Sequence, residues 1–140
     1  MNTGLFPVHG EFGDREPDLF ARWFTNDGSH PLLILQNGRS VGFALVSRPL
    51  VHQRESVDFR MAEFFIVAAA RRCGIGLHAA ALIFNRFAGQ WEVGEFLSNS
   101  GAVAFWRRVI NDYTHGSYRE SVANGEVHQH FSSAVAERRR

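Results

Sequence analysis

The sequence contains no lysine: its 15 basic residues are all arginine, set against 14 carboxylates for a formal net charge of +1. Without lysine the protein has no Schiff-base former and no acylation target of its own on a side-chain amine. A near-neutral balance also argues against nucleic acid as the main partner. The only dense cationic run, Arg138-Arg139-Arg140, closes the chain and reads as a solvated tail over 132–140. There is a single cysteine, Cys73, so no disulfide framework is available within the chain, in keeping with a reducing compartment. Long apolar runs are missing too. The longest, Phe64 to Ala70, has seven residues, against the roughly 20 that a spanning helix needs. The first residues, Met1 to Pro7, carry neither the cationic nor the apolar stretch of a secretory signal. The expectation is a cytoplasmic protein that does not enter the membrane. What is present is a chain of 140 residues, 45% hydrophobic, enough for one compact domain over 1–140 and too little for two.

Periodicity places the elements. Leu19, Phe20, Trp23 and Phe24 fall at helical spacing after Pro17. Leu32 to Leu35 and Val41 to Val46 flank Gln36-Asn37-Gly38-Arg39, whose Asn-Gly supplies the positive backbone angles of a tight hairpin turn. Phe59 to Val67 reads as a central strand covered on both faces. From Ala70 to Phe87 the period becomes helical, with an apolar stripe of Leu77, Ala80, Ala81, Phe84 and Phe87 closed by Gly89. Trp91 to Phe96 reads as a further strand. Ala102 to Ile110 reads as an amphipathic helix, with Ser98-Asn99-Ser100 offering caps. Two short strands, 117–122 and 126–131, surround Asn124-Gly125. Hairpins interrupted by two strand-helix units predict an α+β (α/β layered) class: a mixed, mostly antiparallel central sheet with helices on both faces.

The chemistry concentrates where the central strand enters the turn Arg71-Arg72-Cys73-Gly74-Ile75-Gly76-Leu77. Free N–H groups at a helix start favour an anion. Gly74 and Gly76 permit close backbone approach, and Arg71 and Arg72 add charge-assisted contacts. Neither a third glycine spaced for a dinucleotide fold nor a Gly-Lys-Ser/Thr of a P-loop is present. Cys73 reads as a spectator, since as a nucleophile it would lack a base partner. His78 is either a cofactor contact or a helix-surface residue. His128-x-His130 projects from one side of a strand but no carboxylate or cysteine completes a metal set by spacing, so the pair reads as surface histidines and no metal is expected.

The Arg-x-x-Gly-x-Gly turn, Asn99-x-x-Ala102-x-x-Phe105-Trp106 and the closing Tyr113-Thr114-x-Gly116-x-Tyr118-x-Glu120 stand in an order and spacing that resemble the GNAT superfamily of N-acetyltransferases, over about residues 31–131. The resemblance implies an acetyl-CoA-dependent N-acetyltransferase whose acceptor is a primary amine of a small molecule or peptide, attacking the thioester directly. The alternative is a non-catalytic acetyl-CoA-binding or regulatory module of the same fold. It implies that backbone groups around Ile66 and Val67 pair with the pantetheine arm and that an N–H there stabilises the oxyanion. Arg71, Arg72, Cys73, Gly74, Ile75, Gly76 and Leu77 would hold the pyrophosphate. Asn99 would hydrogen-bond the pantetheine, and Phe105 and Trp106 would pack beside it.

Trp106 stands where many members carry a tyrosine that protonates the leaving thiolate. Tyr113, seven residues on, lies roughly 10 Å further along a helix. Glu63, three residues before Ile66, is the candidate base, through burial that would raise its pKa. Glu95 is the second candidate, and pairing of Glu63 with an arginine is the structural alternative. Relative to the family the N-terminal region, 1–30, reads as shortened, with the first strand and much of the first helical region missing. A homodimer completing the sheet edge is a further expectation.

Overall fold

The computed structural model describes residues 28–49, 57–68, 71 and 74–134, and the backbone of 3–7. The elements are β1 (Thr3–Pro7), β2 (Ser29–Gln36), β3 (Arg39–Ser47), β4 (Phe59–Ile66), α1 (Ile75–Arg86), β5 (Gly89–Phe96), α2 (Ser100–Thr114), β6 (Arg119–Ala123) and β7 (Glu126–Ser133). They form one seven-stranded sheet in the order β1-β2-β3-β4-β5-β7-β6. Every neighbouring pair is antiparallel except β4 with β5. The class is the mixed, mostly antiparallel α+β sheet expected from the pattern.

Both Asn-Gly hairpins form as read. Asn37 and Gly38 take φ 54° and 81°, and Asn124 and Gly125 take 54° and 77°, which gives the turn a twist that matches its strands. The strand expected to be missing is present: β1 pairs with β2 from Thr3↔Gln36 to Pro7↔Leu32. Its five residues include Gly4 and Pro7 and show no alternation, so periodicity could not announce it. Proline is tolerated because this is an edge strand. The helical signal at 17–24 lies outside the described residues.

Two expected boundaries move. Helix α1 begins at Ile75, five residues later than the periodicity placed it, because Gly74 adopts a left-handed φ of 78° immediately before it. At the other end Gly89 is not the helix stop but the first residue of β5. A Cβ there would lie 2.7 Å from Asp58 Oδ2, the atom that accepts the Gln90 N–H. The buried side of α1 is Ile75, Ala79, Ala80, Ile83 and Phe84. Leu77 and Ala81 of the expected stripe are only half-buried. Helix α2 runs on to Thr114, capped by Asn99, whose Oδ1 accepts the Ala102 N–H at 3.1 Å.

Strand β4 is central, but it is not covered on both faces as its continuous apolar sequence implied: Ala62, Glu63 and Phe65 are exposed. Two features account for this. The register jumps from Val46↔Met61 to Leu45↔Glu63, a bulge that leaves Ala62 extra and keeps Phe64 and Ile66 on the same face as Phe59 and Met61. Pairing with β5 also stops after Phe59↔Trp91 and Arg60↔Glu92, so the rest of that edge has no neighbour to pack against.

Helices α1 and α2 pack on one face of the sheet around Phe84. Its ring centroid lies 4.9 Å from that of Trp91, 4.8 Å from Phe131 and 5.1 Å from Tyr113, joining both helices to β5 and β7. Edge-on aromatic packing of this kind adds to the area effect. Phe84→Ala should therefore cost about 3–5 kcal/mol, read as a lowered urea midpoint with an unchanged slope.

Candidate functional site

The early end of the β4–β5 ladder creates a gap between two diverging parallel strands. Val67 N–H donates to Val41 O at 2.8 Å. Because successive residues of a strand send their backbone groups to opposite edges, it is the Ile66 N–H and C=O that point into the gap. The Ile66 carbonyl accepts from Arg71 Nε at 2.7 Å, with the guanidinium 5.4 Å from the Phe65 ring centroid.

On the helix side the gap opens into a cleft of about 850 Å³, bounded by the end of β4, the turn before α1 and the N-terminal half of α2. Of the residues singled out from sequence, Ile66, Arg71, Gly74, Gly76, Leu77, Asn99, Phe105 and Trp106 border it together. The Ile75 side chain is in the core, 1% exposed, so Ile75 has only its helix-start N–H to offer, and Val67 sends its N–H to Val41 of β3. Arg72 and Cys73 lie outside the described residues. Ala102 of the same motif borders it too, and Phe64, Phe65, Gly101, Arg108 and Val109 do so without having been singled out for it. Gly101, Phe105 and Arg108 recur at helical spacing, which is the signal that could have found the arginine.

The cleft has a positive end and an apolar wall. The first turns of α1 and α2 both open onto it, and neither carries an acidic residue. Their free N–H groups, with Arg71 and Arg108, suit an anion. Phe64 stacks on Phe105 at 5.8 Å and meets Trp106 edge-on at 5.1 Å. Gly76 is the position where α1 passes this wall: a Cβ would come within 3.0 Å of the Phe105 ring.

The two expected catalytic carboxylates are separated by the sheet. Glu63 is exposed, on the face away from α1 and α2, so the burial argued for it is corrected. Glu95 is half-buried on the helix side. Its Oε2 accepts from Gln129 Nε2 at 2.8 Å, and Gln129 also reaches Glu120 Oε1 at 3.1 Å. Glu120 in turn is held by a two-pronged bond from Arg107, 3.0 and 2.7 Å. Burial, and secondarily the Glu120 charge, push the Glu95 carboxyl above its ordinary value despite the Gln129 bond. Glu95 Oε1 and Gln129 Oε1 are enclosed without partners. Tyr113 is bound elsewhere: its hydroxyl donates to Asn85 Oδ1 at 2.6 Å, and burial raises its pKa.

His128 and His130 are half-buried. They share the face away from the helices with Glu92, which spacing could not reveal because it comes from β5. His128 Nδ1 lies 2.7 Å from Glu92 Oε2, too oblique for a hydrogen bond, and its Nε2 is 3.0 Å from Glu126. His130 Nε2 is 3.6 Å from the same Glu92 oxygen, and Arg60 holds the other at 2.8 Å. Burial alone would raise the Glu92 pKa. The Arg60 bond and charge, with His128 and His130, outweigh it and hold the carboxyl below its usual value.

Since the folded state binds the Glu95 proton more tightly than the unfolded chain does, ionising it weakens folding as pH rises. Glu95→Gln should therefore melt higher than the parent at pH 7. The difference should vanish below about pH 4, where the carboxyl is protonated in both states. Thermal denaturation across pH reads this directly.

No protein-family model matches the sequence, and no curated protein matches it. Solved structures do. An acetyltransferase from Thermus thermophilus superposes with a TM-score of 0.71 at 13% identity, over 94% of this chain and 97% of that one. A GNAT family acetyltransferase from Elizabethkingia anophelis with acetyl-CoA bound gives 0.59 at 14% identity, over 94% and 98%. A Bacillus subtilis acetyltransferase in complex with CoA gives 0.62 at 9% identity, over 94% and 97%. The likeness covers nearly the whole of each chain, and the fold of this chain is that of the GNAT acetyltransferases.

Proposed function

We propose that the chain is an N-acetyltransferase that moves an acetyl group from acetyl-CoA to a primary amine by direct attack on the thioester. The observation that carries the reading is the continuity between an anion-suited cleft at two helix starts and a strand edge whose backbone groups have no strand partner. Arg71 and the N–H groups at the start of α1 are the residues that would hold a pyrophosphate. In doing so Arg71 would release the Ile66 carbonyl, and Ile66 would offer both backbone groups to an extended amide-bearing arm, as a strand does to its neighbour. Asn99, its Oδ1 committed to the helix cap, has its amide nitrogen left to donate. Phe105 and Trp106 are the wall against which the arm would lie. Two of the structures with this fold carry CoA or acetyl-CoA.

The chain's own part in acyl transfer is orientation and charge. An N–H aimed into the gap from Ile66 is suited to a developing oxyanion. Trp106 has no acidic proton to give, but a thiol pKa near 8.5 makes the thiolate a tolerable leaving group, with water as the proton source. Of the two carboxylates, only Glu63 stands on the face away from the cofactor cleft, where an amine could approach the gap. We assign it the amine's proton. A binding module without turnover is the alternative that the missing phenol at Trp106 favours.

Calorimetric titration with acetyl-CoA, against ATP as control, should show saturable binding of acetyl-CoA alone. Gly74→Val, at a left-handed φ, and Gly76→Val, against Phe105, should each weaken it by roughly 100-fold or more, about 2.7 kcal/mol. Normal binding by both variants would remove the cleft assignment. Glu63→Gln should lower kcat roughly 100-fold with the acetyl-CoA Kd unchanged. An unchanged kcat would take the base role from Glu63, and acetyl-CoA binding without turnover of any amine would leave the binding module.

A further inference from the structure

Five large apolar side chains stand exposed among the described residues: Phe65 51%, Val67 37%, Phe96 65%, Leu97 48% and Val122 53%. Four of them stand at the gap: Phe65 and Val67 end one arm, and Phe96 and Leu97 end the other. Val122 is set apart on the helix side, opposite Val127. Apolar side chains grouped at the ends of an open gap mark a binding surface where single exposed residues do not.

The register brings Phe65 and Phe96 level with each other. Counting from Arg60↔Glu92, the last ladder pair, and allowing one residue for the bulge at Ala62, Phe65 on β4 stands opposite Phe96 on β5. Both point away from the helices. Each follows a residue committed to the helix side: Phe64 against Trp106, and Glu95 bonded to Gln129. Phe65 also borders the cofactor cleft, so cleft and patch meet across the gap. Glu63 shares this face and stands two residues back on the same arm.

We infer that Phe65 and Phe96 form the acceptor subsite and that the acceptor is a primary amine with a single cationic head and an apolar or aromatic body. The inference rests on the acyl-transfer reading and names its substrate class. With the thioester entering from the helix side, the attacking amine has to come from the other side, and there the gap is lined by rings. The cationic head falls toward Glu63, and the body covers Phe65 and Phe96, burying apolar surface on both partners. On this face Glu92 is already bonded to Arg60 and Glu126 to His128, so a polycation or an amino sugar would meet two exposed rings with Glu63 left to take one charge, and its other charges or hydroxyls would go unpaired.

The test is turnover at saturating acetyl-CoA with 2-phenylethylamine and hexylamine against spermidine and glucosamine. The expected kcat/KM favours the apolar amines by roughly 10-fold or more, and Phe96→Ala lowers it for 2-phenylethylamine by roughly 10-fold, mainly through KM. The acetyl-CoA Kd of that variant should match the parent, which also shows that it folds. Preference for spermidine or glucosamine, or an unchanged kcat/KM in Phe96→Ala, would overturn the subsite while leaving acyl transfer standing. Absence of turnover with every amine, although acetyl-CoA binds, would remove acyl transfer and the subsite with it.

Discussion

The early parting of β4 and β5 is the constraint on which the rest of the molecule turns. Two parallel strands that pair for only two residue positions and then diverge leave backbone donors and acceptors at the centre of the sheet, where such groups are ordinarily satisfied. The closed end is pinned on both faces: Phe59 against Trp91 on the helix side and Arg60 bonded to Glu92 on the other. Further on, the bulge at Ala62 turns Phe64 and Ile66 back toward the helices, where Phe105 and Trp106 pack against Phe64. A seam that would be a defect in a structural sheet is thus held open by packing.

Everything chemical is arranged about that seam. The helix side is rimmed by two helix N-termini and two arginines, and lined below by aromatic rings. It offers an extended anionic molecule a charged end and a strand-like edge. The opposite side carries exposed rings and carboxylates. The sheet lies between the two, so the two sides communicate through the gap. Glu95 and Glu63, close in type and in position along neighbouring strands, are thereby given different surroundings: one is tied to Gln129 under α2, the other is open. Burial and neighbours, not residue type, set what a carboxylate can do.

Much of this was legible in the chain. The hairpins followed from Asn-Gly, whose positive φ is a local preference. The capping of α2 followed from Asn99, and the two glycines beside arginine marked the turn that borders the cleft. Eight residues named for the cleft border it in space. What the pattern could not carry was non-local. Strand β1 has no pattern of its own and exists because β2 offers it an edge. Glu92, His128 and His130 come together from two strands well apart in sequence. Gln129 lies fully buried in a strand whose alternation announced only a polar position.

The sequence by itself determined the period of most elements and the turns where only glycine or asparagine is comfortable, and it placed two glycines and arginine at one helix start. These depend on backbone preferences within a few residues. The tertiary structure decided which carboxylate is buried and which is open, which histidines share an acid, and that Phe65 and Phe96 stand level across an open seam. Those outcomes depend on register and on a one-residue bulge, and a shift of one position in a strand exchanges one face for the other.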